Sequence, residues 1–371
     1  MRGLSLLGGY TANTILTFAV GVASVPAIIY FAGASAWAGI AVTQAVAGIA
    51  AVIVAFGWNA MGPSTIATLP VHERTPYYYR SLIARALLFV VSGPVAIIAS
   101  IAIAGLDPAV AAMSTAAYLA QSLGGSWFFV GQGRPYRLLL LDTAPRLLAI
   151  LIGIGALAMG GGLLAFTAIL LAGTVSSVLL SAIVILREGS VDATTRRHPQ
   201  ILQLLGTQRH AIATTSSASV YANMPLIAVS IIAPEARDPF ALAFKLYNYA
   251  AAALAPMVQF LQAWVPSDDP STTYARARRA ALTALLGGFV AFGAMLGFGV
   301  PASTILSTGQ ITLELGMVLP FAIAIGAVTV SQVVGLACLT ALDRRTVVAV
   351  STAIGALGGT ILIFGGTALM S

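Results

Sequence analysis

The sequence is poor in almost everything a water-facing surface needs. Charged residues make up 8% of its 371 residues, against about a quarter in average globular usage, and lysine occurs once, at Lys245. Hydrophobic residues reach 59% and the mean hydropathy is +0.96. A soluble globular domain is thereby excluded, and the chain reads as an all-α polytopic membrane protein. A single cysteine, Cys338, excludes an intramolecular disulfide and any cysteine metal cluster. The three histidines, His72, His198 and His210, lie in polar connections without ligand spacing, so no metal centre is expected. There is no phosphate-binding Gly-rich motif, and Gly160-Gly161-Gly162 reads as a turn, so no nucleotide or other cofactor is expected.

What is present is a series of apolar runs of spanning length, about eleven, each near the ~20 residues that cross a bilayer. They cover 6–31, 36–57, 82–104, 108–130, 138–159, 163–186, 211–233, 239–264, 281–300, 311–339 and 347–369. The run before Ala34-Ser35-Ala36 is too long for a signal-peptide core, so the first is read as a retained span. Arginines collect in every second connection, including Arg74, Arg80 and Arg85, Arg134 and Arg137, Arg187 to Arg209, Arg276 to Arg279, and Arg344 with Arg345. The positive-inside rule then predicts a multi-pass protein of the cytoplasmic membrane with its N-terminus in the cytoplasm. The same rule accounts for the net charge of +7 without any nucleic-acid partner. The tryptophans Trp37, Trp58, Trp127 and Trp264 fall near span ends and read as interfacial anchors. The segment 58–79 reads as lying along the inner surface. The longest connection, 188–210, divides an N-terminal lobe of six spans (1–187) from a C-terminal lobe of about five (211–371).

Charge inside the fifth span stands out. Arg146 lies eight residues past Leu138, hence roughly 12 Å along the helix, where a guanidinium costs a few kcal/mol or more. Asp142 stands one helical turn before it, and Pro145 frees a backbone carbonyl nearby. The two form either a pair lining a wet interior or a neutralised pair near the headgroups. With Arg134 and Arg137, and with Arg80 at the same face, Arg146 continues a cationic path inward that suits an anionic passenger. Polar residues elsewhere recur at helical spacing: Asn13 and Thr17 in the first span, Tyr118, Gln121 and Ser122 in the fourth, Asn223 in the seventh, and Lys245, Asn248 and Gln259 in the eighth. Such stripes either join helices or line a cavity. Asp142 and Glu314 are the carboxylates in or beside spans that can couple an ion.

Trp127-Phe128-Phe129-Val130-Gly131-Gln132-Gly133 resembles the aromatic end of the fourth helix in the polysaccharide or O-antigen flippases, the lipid-linked oligosaccharide branch of the MOP (MATE-like) superfamily. Pro26 in the first helix, Gly57-Trp58-Asn59 closing the second, and Tyr221, Asn223 and Phe240 to Leu246 are similar to further stretches of that family. The resemblance implies two lobes around a central cavity, and no enzymatic activity. It implies translocation of an undecaprenyl-diphosphate-linked oligosaccharide from the inner to the outer leaflet, with polysaccharide polymerase or assembly proteins as partners. Arg146 and Lys245 are then the cations that meet the diphosphate, one per lobe. The sequence departs from the family in showing no twelfth span. A MATE-like drug or metabolite exporter is the nearest alternative, although the first two spans carry no carboxylate. A membrane glycan polymerase or glycosyltransferase is a further one, disfavoured by very short outer connections.

Overall fold

The structure, a computed structural model, describes residues 2–191, 201–267 and 269–344 and, beyond them, 347, 350, 351, 354, 355 and 358. These residues are helical with no strand among them, as a bilayer requires of any chain that does not close into a barrel. Seven helices are long and apolar enough to cross a membrane among the described residues, and the protein is membrane-embedded. The expected span at 347–369 lies almost wholly outside the described residues.

Two compact units divide the chain, Met1–Ser230 and Ile231–Ser371. In the first, α1 (Arg2–Ala32), α2 (Ala34–Ala55), α4 (Val71–Ile103), α5 (Pro108–Ala120), α8 (Ala144–Ala158) and α9 (Gly162–Glu188) pack in a closed ring. Its order of neighbours is α1, α2, α4, α5, α9, α8 and back to α1, with α2 also against α5. Short pieces join them: α3 (Trp58–Thr68), α6 (Ser126–Gly131) and the single turn α7 (Pro135–Arg137). Helix α10 (Ile201–Ile232) begins inside the expected lobe linker, 188–210, whose residues 192–200 lie outside those described. Ile227 of α10 packs on a core cluster of Val46, Val54, Ala96 and Leu119.

Contrary to the anchor reading, Trp37, Trp58 and Trp127 are buried in protein. Trp58 and Trp127 join Tyr78, Phe128, Phe129 and Ile66 in one cluster, with Trp127 edge-on to Tyr77 and Phe128. Gly62 and Gly131 make this possible, since a Cβ at either would strike Trp127 or Ile66. The 58–79 stretch is therefore core-forming at its start, where α3 packs on α6.

The second unit holds α11 (Arg237–Trp264), α12 (Pro270–Leu306) and α13 (Leu315–Gln332), the last running on through a π-helical stretch, Val333–Leu339. Its core joins Val258, Leu261, Ala277, Ala280, Ala284, Val333 and Ala337. Asp269 caps α12, accepting from the backbone N–H and hydroxyl of Ser271 and Thr272. Those hydroxyls hold its carboxyl well below the ordinary carboxylate range. The cap is thus present at neutral pH and is lost only as the pH falls through that lowered value.

Lipid cannot drive helices together as water does, so close contact at small residues carries much of the association. A Cβ on Gly288 of α12 would lie 2.8 Å from the Gly326 carbonyl of α13, and one on Gly173 of α9 would lie 2.9 Å from the Pro145 carbonyl of α8. Gly173→Ala and Gly288→Ala should each lower the thermal midpoint in detergent, through overpacking of about 1–3 kcal/mol. Gly293→Ala, with nothing within 4 Å of its Cβ, should not lower it. Equal midpoints for all three would show that these helices are not held by close backbone approach.

Candidate functional site

Local breaks in three helices build a polar hollow within the first unit. Helix α2 stops because Phe56 (φ 42) and Gly57 (φ 86) both take left-handed backbone, a conformation a bulky residue rarely adopts. The turn sends Trp58 into the core and leaves the Asn59 side chain at the hollow. The expected fourth span is likewise interrupted. Helix α5 ends in a 3₁₀ turn, Gln121–Leu123, and Gly124-Gly125 precede α6, with Ser181 and Ile185 of α9 close against Gly125.

The fifth span opens as a π-helical turn, Leu138–Thr143, a geometry found often at functional sites. Pro145 has no N–H to offer the Leu141 carbonyl. Ser181 of α9 donates to that carbonyl at 3.3 Å, and Ser177 donates to the Asp142 carbonyl at 2.8 Å. Two serines one turn apart on α9 thus donate to successive carbonyls of this turn, and the Ser181 bond serves the one that the proline cannot.

The resulting cavity measures about 360 Å³ and is lined by Gln44, Gly48 and Ala51 of α2, Asn59, Tyr118, Gln121, Ser122, Ser126, Asp142 and Arg146. Arg146 is locked on three sides. Its Nη2 donates to Asp142 Oδ2 at 2.5 Å, its Nε to the Asp142 carbonyl at 3.0 Å, and its Nη1 to Gln121 Oε1 at 3.1 Å. The Asp142 side chain is 5% exposed and that of Arg146 27%. Both residues line this cavity. The side-chain polar groups of Gln44, Asn59, Tyr118 and Ser126 make no hydrogen bond with described residues.

A second guanidinium stands behind the wall. Arg85 is fully buried, with Nη1 donating to the Ser122 and Gly124 carbonyls at 3.0 Å each and Nε to the Ser81 carbonyl at 3.3 Å. Its flat face lies 5.5 Å from the Trp127 ring centre and 5.9 Å from that of Tyr78, within cation–π range. The residue thereby fixes the 3₁₀ turn that presents Gln121 and Ser122. From the sequence it passed as a loop arginine at the start of the third span. The Tyr78 ring lies two turns earlier on α4, but the Trp127 ring that covers the other side comes from α6, and no local pattern announces it.

The other expected site residues are distributed as follows. Asn223 donates to the Ser219 carbonyl at 2.9 Å, and the Ser219 hydroxyl donates to the Gly48 carbonyl at 2.9 Å. That contact holds α10 against the α2 wall of the cavity. Arg134 and Arg137 both pair with Glu188 at the end of α9, and neither lines the cavity; nor does Arg80. On α1, the exposed Thr17 donates to the Asn13 carbonyl at 2.9 Å, and the Asn13 Oδ1 is buried. In the second unit Lys245 is half-buried with Nζ 5.5 Å from the Tyr249 ring centre, while Asn248, Gln259 and Glu314 are exposed. Gln44, Asn59 and Ser126 were not singled out as cavity residues. A lone glutamine in the apolar second span is the one signal that was available.

Among the described residues no group of three or more His, Cys, Asp or Glu is placed to hold a metal ion. The cavity offers a ligand amides, hydroxyls and a braced ion pair, which is equipment for binding. No family model, characterised protein or solved structure matches the chain. Arg85→Met keeps bulk but removes every donor, leaving the Ser122 and Gly124 carbonyls unsatisfied at about 1–3 kcal/mol each. Its thermal midpoint in detergent should fall, and an unchanged midpoint would show that water serves those carbonyls equally well.

Proposed function

We propose that the protein carries a large polar head group across the cytoplasmic membrane. The passenger is an undecaprenyl-diphosphate-linked oligosaccharide, moved from the inner to the outer leaflet by alternating access. The observation that carries the reading is a polar-lined cavity with a braced guanidinium, bordered by the apolar helices α2, α5 and α8. Polar side chains within membrane helices are expensive to keep, and a purely structural bundle has no use for several of them facing one hollow without partners. Passage of a diphosphate and sugars through hydrocarbon unaided is prohibitive. A wet hollow offers the head group compensation while the lipid tails stay in the bilayer. The resemblance at Trp127 to Gly133 supplies the substrate class.

On this reading the chain has about eleven spans with the N-terminus in the cytoplasm, is not an enzyme, and works beside a glycan polymerase or other assembly protein. Arg146 in the first unit and Lys245 in the second are the cations proposed to meet the head group, and Asp142 and Glu314 are the candidates for ion coupling.

Removing Arg146 alone would strand Asp142 as a buried charge, so the test uses the double substitution Asp142→Ala with Arg146→Ala, and separately Lys245→Ala. Each should reduce export of lipid-linked glycan about tenfold or more, equivalent to ~1.4 kcal/mol of lost stabilisation. Export is measured in cells with the variant as sole copy, and membrane insertion should be retained. Unreduced export in both would contradict the assignment.

A further inference from the structure

The cavity's charged and uncharged groups differ in one respect: the charged ones are already engaged. Arg146 spends one N–H on the Asp142 carboxylate, one on the Asp142 carbonyl and one on Gln121. Two of its five donors remain, directly beside a carboxylate that repels an entering anion. Arg85 adds positive field from behind the wall, but it is fully buried; its Nε and Nη1 donate to backbone carbonyls, and its Nη2 is buried away from the cavity. By contrast, the amides of Gln44 and Asn59 and the hydroxyls of Tyr118 and Ser126 line the cavity without a hydrogen bond to described residues.

Each of these four groups both donates and accepts. A diphosphate, which only accepts, would satisfy their N–H and O–H groups but leave the amide oxygens without a donor. A ring bearing several hydroxyl or N-acetyl groups satisfies both kinds at once. The volume of about 360 Å³ lies at the small end of the ~300–1,000 Å³ range of ligand sites, suited to one or two such rings.

Resting on the reading proposed above, we infer that this cavity binds the uncharged sugar portion of the passenger and leaves its diphosphate to be held elsewhere. Asp142 is the residue that makes the cavity indifferent to anions, by neutralising Arg146.

Labelling of a single cysteine tests this without knowledge of the particular glycan. In full-length protein carrying Cys338→Ala, Ser126→Cys or, as an independent reporter, Asn59→Cys is reacted with an anionic and a cationic methanethiosulfonate. An anion-attracting cavity would favour the anionic reagent by ~10-fold or more. The inference predicts comparable rates, slowing by N-acetylglucosamine and no slowing by inorganic pyrophosphate. Adding Asp142→Asn should then tilt the rates toward the anionic reagent and bring in protection by pyrophosphate. A strong anionic preference or pyrophosphate protection with Asp142 in place would overturn the inference, as would absence of protection by the sugar. No labelling at either position would overturn the cavity itself. Glycan export is not read in this experiment. Failure of the flippase reading therefore leaves sugar protection standing, and failure of the sugar assignment leaves an export defect standing.

Discussion

A carboxylate and a guanidinium 2.5 Å apart on the wall of a cavity bordered by apolar helices set the terms for the first unit. The nearly buried Asp142 alone would be strongly destabilising there, by about 3–5 kcal/mol for an uncompensated buried charge. The chain therefore has to supply both, hold them together and finish the hydrogen bonding around them. Asp142 and Arg146, spaced one turn apart, do the first. The π-helical turn and Pro145 interrupt the helix here, Pro145 leaves the Leu141 carbonyl without its usual donor, and Ser181 and Ser177 of α9 donate to that carbonyl and to the next, at Asp142. Gln121 takes a further guanidinium donor, which ties the broken fourth span to the fifth.

From that arrangement the rest of the site follows. The 3₁₀ turn bearing Gln121 has to be stiff, and Arg85 stiffens it by filling the Ser122 and Gly124 carbonyls from behind. Arg85 in turn has to be buried without a carboxylate partner, and the Trp127 and Tyr78 rings accept its flat faces. The aromatic stretch after Gly125 is thereby explained as core and cation support. The pair also decides what the hollow can hold, because two opposite charges locked together leave neutral amides and hydroxyls as the groups free to meet a ligand.

Much of this could be read in the amino-acid order, and the reasons for the remainder are physical. Membrane character followed from charge scarcity, and the significance of Asp142, Pro145 and Arg146 followed from their spacing inside one apolar run. Gln121 was found because it shares a helical stripe with Tyr118 and Ser122. Asn59 was hidden because its position depends on Phe56 and Gly57 turning left-handed together, which no period reveals. Arg85 is hidden because an arginine at a span end looks the same whether it faces headgroups or is covered by the Trp127 ring of another segment. Tryptophans near span ends read as anchors, yet Trp37, Trp58 and Trp127 are buried in protein, the latter two because Gly62 and Gly131 let α3 and α6 close around the aromatic cluster. Apolar run length also overlooks the Gly124-Gly125 break that makes the fourth span a pair of short helices.

The most direct test is a cryo-EM map of the full chain in lipid nanodiscs, at a resolution that shows side chains and ordered water. The account predicts density joining the Arg146 and Asp142 side chains, and water against Gln44, Asn59 and Gln121 in a hollow closed off from acyl chains. A map in which Arg146 extends to the headgroups, or in which lipid tails or packed side chains fill the space between α2, α5 and α8, would contradict it.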